Sequence, residues 1–105
     1  MKHYFFSLLL LIPNIAFAKV VEHSDTALEA NGMKVEFFDS SETGIIRPIN
    51  CNLCLLEFYN FDNKIKINKS GTPIPLKTFM DDYWNAQYPT LFIDPRTNTV
   101  KKINY

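Results

Sequence analysis

Pro75-Leu76-Lys77-Thr78-Phe79-Met80-Asp81-Asp82-Tyr83-Trp84-Asn85-Ala86-Gln87 is the stretch on which the fold class turns. Leu76, Phe79, Met80 and Tyr83 stand at i, i+3, i+4 and i+7, the spacing that builds an apolar stripe on a helix. Pro75 suits a first helical turn, where its missing N–H costs nothing. Asp81 and Asp82 fall on the polar side. Pro89 biases Tyr88 away from helical geometry and stops the run. The spacing predicts one amphipathic helix near residues 75–87.

On both sides of it the chain reads as strand. Before it, Met33 to Phe38 alternates and is rich in β-formers, and Ile45 to Ile49 is a short strand in which Pro48 favours an edge. Leu55 to Phe61 and Lys64 to Lys69, joined at Asp62-Asn63, look like a β-hairpin with Ile65 and Ile67 facing inward. After it, Thr90 to Ile93 and Val100 to Tyr105 read as strands joined by a turn over Asp94-Pro95-Arg96-Thr97-Asn98. Asp39 to Gly44 is a loop, and Ser70-Gly71-Thr72-Pro73 ends the hairpin. Asn31-Gly32 signals a tight hairpin turn if both flanks are extended, and Val20-Val21 could begin an edge strand. The expected fold is therefore α+β: a small, hairpin-rich antiparallel sheet of about five or six strands with one helix on one face. Leu76, Phe79, Met80 and Tyr83 should meet Val35, Phe37, Phe58, Ile65, Ile67, Leu91 and Ile93.

The first eighteen residues have a different character. Met1-Lys2-His3 is a short basic head, and Tyr4 to Ile12 is an apolar core. Pro13-Asn14 breaks it, and Ala16-Phe17-Ala18 puts small residues where a signal peptidase reads. The run is too short for a membrane span, which needs about 20 apolar residues. The expectation is a signal peptide over 1–18 cleaved near Ala18. Residues 19–105 then form a single small domain, exported to the periplasm or the extracellular space, with no membrane span in the mature chain. Eleven Lys and Arg balance eleven Asp and Glu, and Lys2 leaves with the leader. The domain is thus nearly neutral, with no basic stripe for nucleic acid or anionic lipid. Aromatic residues make up 14% of the chain, and a small core gains from them because each buries roughly 150–250 Å².

Cys51 and Cys54 form the chain's only Cys-x-x-Cys. That spacing has three uses: a local disulfide, thiol–disulfide exchange, or half of a metal site. A metal site lacks ligands, since His23 is the only other soft donor after the leader. Haem attachment would require His where Leu55 stands. No cofactor or metal is implied. As a staple the pair closes a very short loop, worth about 2 kcal/mol. For exchange, the thiolate would need a helix N-terminus or nearby cations, and Arg47 is the only close basic residue in sequence.

Together with Tyr88-Pro89-Thr90-Leu91-Phe92-Ile93-Asp94, the Cys pair resembles the thioredoxin family. That family carries a Cys-x-x-Cys and, further on, a cis-proline loop opening a core strand. The resemblance covers two short motifs. It implies Cys51 as nucleophile, Cys54 as resolving thiol and Pro89 as the substrate-facing proline. Asn50 stands where the family has an aromatic residue, and Leu55 to Asn63 reads as strand where the family has helix.

Other features have ordinary readings. Trp84 and Tyr88 are expected in the core, His23 in solvent, and Asp81-Asp82 on a solvated face. Asn68-Lys69-Ser70 matches a glycosylation acceptor, relevant only in a eukaryotic secretory pathway. The leading functional expectation is a non-catalytic exported module with a Cys51–Cys54 disulfide, binding an unknown protein partner or serving as an accessory piece of the cell envelope. The alternative is a thiol–disulfide oxidoreductase using Cys51, Cys54 and Pro89. A helix beginning at Cys51 and a cis peptide at Pro89 would favour exchange. A hairpin through 55–69 would favour the module.

Overall fold

The computed structural model describes residues 25–105. The expected leader and cleavage site (residues 1–18), Val20-Val21 and His23 lie outside the described residues. The described chain is mostly β, with eight strands in one mixed sheet: β1 (Thr26–Glu29), β2 (Gly32–Phe38), β3 (Thr43–Ile49), β4 (Tyr59–Asp62), β5 (Lys66–Lys69), β6 (Thr72–Ile74), β7 (Thr90–Asp94) and β8 (Thr99–Asn104). The sheet order is β1-β7-β8-β4-β3-β2, with β5 also on β8 and β6 on β5.

The expected α+β class is overturned. The predicted helix over 75–87 is instead a five-residue helix α1 (Leu76–Met80) followed by a 3-10 turn (Tyr83–Asn85). So short a helix is not stable by itself, and Thr78, Phe79, Tyr83 and Trp84 are weak helix formers. What breaks the run is Asp82, whose backbone leaves helical geometry at φ −136°. Its carboxylate accepts hydrogen bonds from Lys69 Nζ at 2.7 Å, Tyr105 Oη at 2.7 Å and Asn85 Nδ2 at 2.9 Å. The apolar stripe still meets the sheet. Phe79 is fully buried, and Leu76, Met80 and Tyr83 pack partly buried against the same core. Phe79 lies between the rings of Tyr83 and Tyr105, at centroid distances of 6.2 and 5.8 Å.

The hairpin expected through 55–69 is also absent. Asp62 makes a tight turn, accepting Lys64 N–H at its Oδ1 and Ile65 N–H at its carbonyl. The chain then continues in the same direction, so β4 and β5 both lie parallel to β8. The reversal comes later, at Ser70-Gly71, where φ values of +52° and +83° suit a two-residue hairpin turn. That turn pairs β5 with β6. Asn31-Gly32 makes no hairpin, because β1 pairs with β7 and β2 with β3. Of the expected connections, the turn at Asp94–Asn98 joins an antiparallel pair, β7 and β8.

The link between β1 and β2 shapes the molecule. These strands are the two ends of the sheet, yet only Ala30 and Asn31 join them. So short a link reaches roughly 11 Å, and the sheet must curl until its edges meet at that end. Asn31 N–H bonds to the Ile49 carbonyl and Ala30 N–H to the Pro89 carbonyl, holding the meeting point. Inside the curl lie Leu28, Met33, Val35, Ile46, Tyr59, Phe61, Ile67, Leu91, Ile93, Val100 and Ile103, with Phe79 among them. Phe37 and Ile65 join this core partly buried, whereas Phe58, expected there, is exposed.

Pro48 is not on an edge strand, since β3 lies between β2 and β4. β4 pairs with β3 only over Thr43–Ile46, which leaves Pro48 beyond its reach. Toward β2 it stands opposite Met33. Having no N–H, it is tolerated there as a pair that exchanges no hydrogen bonds.

Candidate functional site

Where β3 ends, the chain enters the left-handed region at Asn50 (φ +53°) and turns into Cys51. Asn tolerates this conformation better than most residues. Cys51 and Cys54 are joined by a disulfide, with Cα atoms 5.4 Å apart, and Cys54 N–H bonds to the Cys51 carbonyl. The pair sits in a turn followed by loop, and no helix begins at Cys51. Both half-cystines are partly buried against the core, so the bridge lies on the inner side of the loop.

The rest of the loop faces outward. Leu53 and Leu55 are 74% and 92% exposed, and Leu56 and Phe58 are also exposed. Four large apolar side chains within six residues form an apolar rim, of the kind that marks interaction surfaces. The loop's shape is held from below. The hydroxyl of Tyr59, a residue buried in the core, accepts the backbone N–H of Leu55 at 3.1 Å and of Leu56 at 3.3 Å. At its base the Arg47 guanidinium lies over the Phe58 ring, 5.3 Å from the centroid.

Leu53 projects between two hollows. On one side an open cleft of about 480 Å³ lies between the disulfide loop, the outer face of β1 and the entry to β7, with Asn50, Asn52, Glu29, Tyr88 and Thr90 in its wall. On the other, a hollow of about 160 Å³ is lined by Leu28, Leu55, Tyr59 and Ile93. Tyr88, at the mouth of the cleft, is held at φ +52° immediately before Pro89. That conformation is strained for an aromatic residue, and such strain gathers at functional sites.

Asn50, Asn52 and Leu53 of the Cys loop border one cleft with Tyr88 and Thr90, but Cys51, Cys54 and Pro89 are not in its wall, and Pro89 is buried with a trans peptide bond. Trp84 and Tyr88, expected in the core, are 63% and 71% exposed. Asp81 is solvated as expected, but Asp82 is not. Lys69, then Asn85 and Tyr105, hold its carboxyl down at about 2, while burial and the Asp82 hydrogen bond push the Tyr105 phenol up. Asn68 of the glycosylation-like triplet lies within the sheet, its Nδ2 bonded to Asn104 Oδ1. Among the described residues no group of three or more His, Cys, Asp or Glu is arranged to hold a metal, and no helix is long and apolar enough to cross a membrane. The apolar rim had a signal in Leu53, Leu55, Leu56 and Phe58, but these residues also fit a buried strand.

Comparison with known proteins returns no matching family model, curated protein or solved structure.

Proposed function

We propose that this chain is a non-catalytic binding module of an exported protein, serving at the cell envelope, and that the loop from Cys51 to Phe58 is its contact surface. One observation carries this reading. Leu53, Leu55, Leu56 and Phe58 are held out to solvent on a loop tied by a disulfide and by the Tyr59 hydroxyl. A loop ordered in advance loses less conformational freedom on binding, so more of its apolar burial becomes affinity. In this reading the disulfide is a brace.

A second reading, thiol–disulfide exchange through Cys51 and Cys54, has one observation in its favour: the Cys loop and the Tyr88–Thr90 segment border the same cleft. Here a partner thiolate would attack one half-cystine, form a mixed disulfide and release the other as a thiolate.

The reduction potential of the Cys51–Cys54 pair, titrated against glutathione buffers, separates the two. A brace is expected below about −300 mV, and a value above about −230 mV would place the pair among exchange catalysts and overturn the module reading.

A further inference from the structure

The sheet leaves one long edge without a strand partner, with the 3-10 turn packed beside it and Tyr88 N–H bonded to the Asn31 carbonyl at its start. Among the described residues β2 pairs only with β3, over seven residues with no proline and no register shift. Along its other side runs an open groove of about 630 Å³, walled by Tyr83, Trp84 and Ala86. Proteins normally shorten, bulge or cover such edges, because the unpaired N–H and C=O groups will accept another strand. We propose that the edge of β2 pairs antiparallel with β2 of a second copy of this chain, about a two-fold axis at Val35.

Three features select that partner and that register. The first is the phase of the backbone. Pro48 stands opposite Met33 and has no N–H to give, so Met33, Val35 and Phe37 turn their backbone polar groups away from β3 and toward the open side. A symmetric strand pair whose central residues exchange both hydrogen bonds must then be centred on Met33, Val35 or Phe37.

The second feature is charge. Centring on Val35 sets Lys34 of each copy opposite Glu36 of the other, twice by symmetry. Centring on Met33 sets Lys34 against Gly32, and centring on Phe37 sets Glu36 against Phe38. Neither of those registers pairs a charge. Within one chain Lys34 stands directly across from Arg47, a like-charge pair on an exposed face, which is unfavourable. Glu36 stands across from Ile45. Neither Lys34 nor Glu36 makes an ion pair with a described residue. A second copy supplies the carboxylate that the Lys34–Arg47 pair lacks.

The third feature is apolar. In this register Phe38, 46% exposed, covers Gly32 of the other copy. Next to Gly32 lies Ile49, also exposed, whose Cδ1 is 3.7 Å from where a Gly32 side chain would begin. An aromatic ring laid over an edge glycine is a favourable cross-strand pair. On the inner face Met33 meets Phe37 of the other copy, extending one core toward the next.

The test is sedimentation velocity of the disulfide-intact protein over a concentration series, with Lys34→Glu, Glu36→Lys and an equimolar mixture of the two. The wild-type chain should show a monomer–dimer equilibrium. Each single variant converts both opposite-charge pairs into like-charge pairs, and should weaken the dimer roughly tenfold or more. The mixture should recover it as a heterodimer. There the carboxylate introduced at position 34 of one chain faces the ammonium introduced at position 36 of the other, and the native Glu36 of the first faces the native Lys34 of the second. Thermal midpoints of the monomers should stay near wild type, since both side chains are exposed. A wild-type chain that stays monomeric up to about 1 mM, or a dimer whose affinity neither variant alters, would overturn the proposal.

Discussion

At the scale of single residues, Gly44 is the position with the least freedom. It lies in β3 between Phe37 of β2 and Phe61 of β4, all on the inner face. The two rings stack across it with centroids 6.0 Å apart. A Cβ at Gly44 would run into the Phe61 ring and the Glu36 carbonyl oxygen. Phe61 is fully buried and cannot swing away, and the carbonyl is backbone. Gly44→Ala should therefore destabilise the fold by about 2–3 kcal/mol, the upper part of the range for overpacked cores. Chemical denaturation would show this as a lower midpoint with an unchanged slope. From the sequence alone Gly44 closes the Asp39–Gly44 loop. Its need for an absent side chain depends on two phenylalanines on neighbouring strands.

At the scale of elements, α1 and the 3-10 turn show a local pattern overridden by distant partners. Asp82 is bonded to Lys69 on β5 and to Tyr105 after β8, thirteen and twenty-three residues away. These bonds tie the Leu76–Asn85 segment to the sheet. They also make stability depend on pH at both ends of the scale. The Asp82 carboxyl is lowered from 3.8 to about 2 in the folded state. Its contribution is therefore complete above the unfolded value and is lost as pH falls from about 4 toward 2. The Tyr105 phenol is raised above its ordinary 10.0, so its contribution is complete below pH 10 and is lost above it. Asp82→Asn should flatten the acid limb of a plot of thermal midpoint against pH, and Tyr105→Phe the alkaline limb.

At the scale of the whole molecule, the disulfide loop lies beside the gap that the curled sheet leaves along β1. Residues 50–54 follow on from the point where Asn31 meets Ile49, and Leu53 reaches toward β1 on both sides. The bridge closes a loop of separation 3, so its loss by Cys51→Ser with Cys54→Ser should cost only about 2 kcal/mol of global stability. The larger effect is expected in the loop. Hydrogen exchange should quicken for the amides of Leu55 and Leu56, which rest on the Tyr59 hydroxyl, while core amides of β3 and β8 keep their protection.

Strands with one buried face are written in the local order of residues. Met33 to Phe38 alternates visibly, because a strand's inner and outer residues follow each other at a period of two. The Cys51–Cys54 bridge is equally local, since a spacing of three brings the two sulfurs together without help from the rest of the chain. Strand pairing is not local. Asp62 can turn a chain back or merely kink it, and β8 settled the matter by offering one edge to both β4 and β5. Contacts across the fold likewise ended the helix before Asp82 and left Trp84 in solvent. They set the edges of the sheet two residues apart, and so curled it. These outcomes rest on hydrogen bonds and ring contacts between residues far apart in the chain, and no local periodicity encodes them.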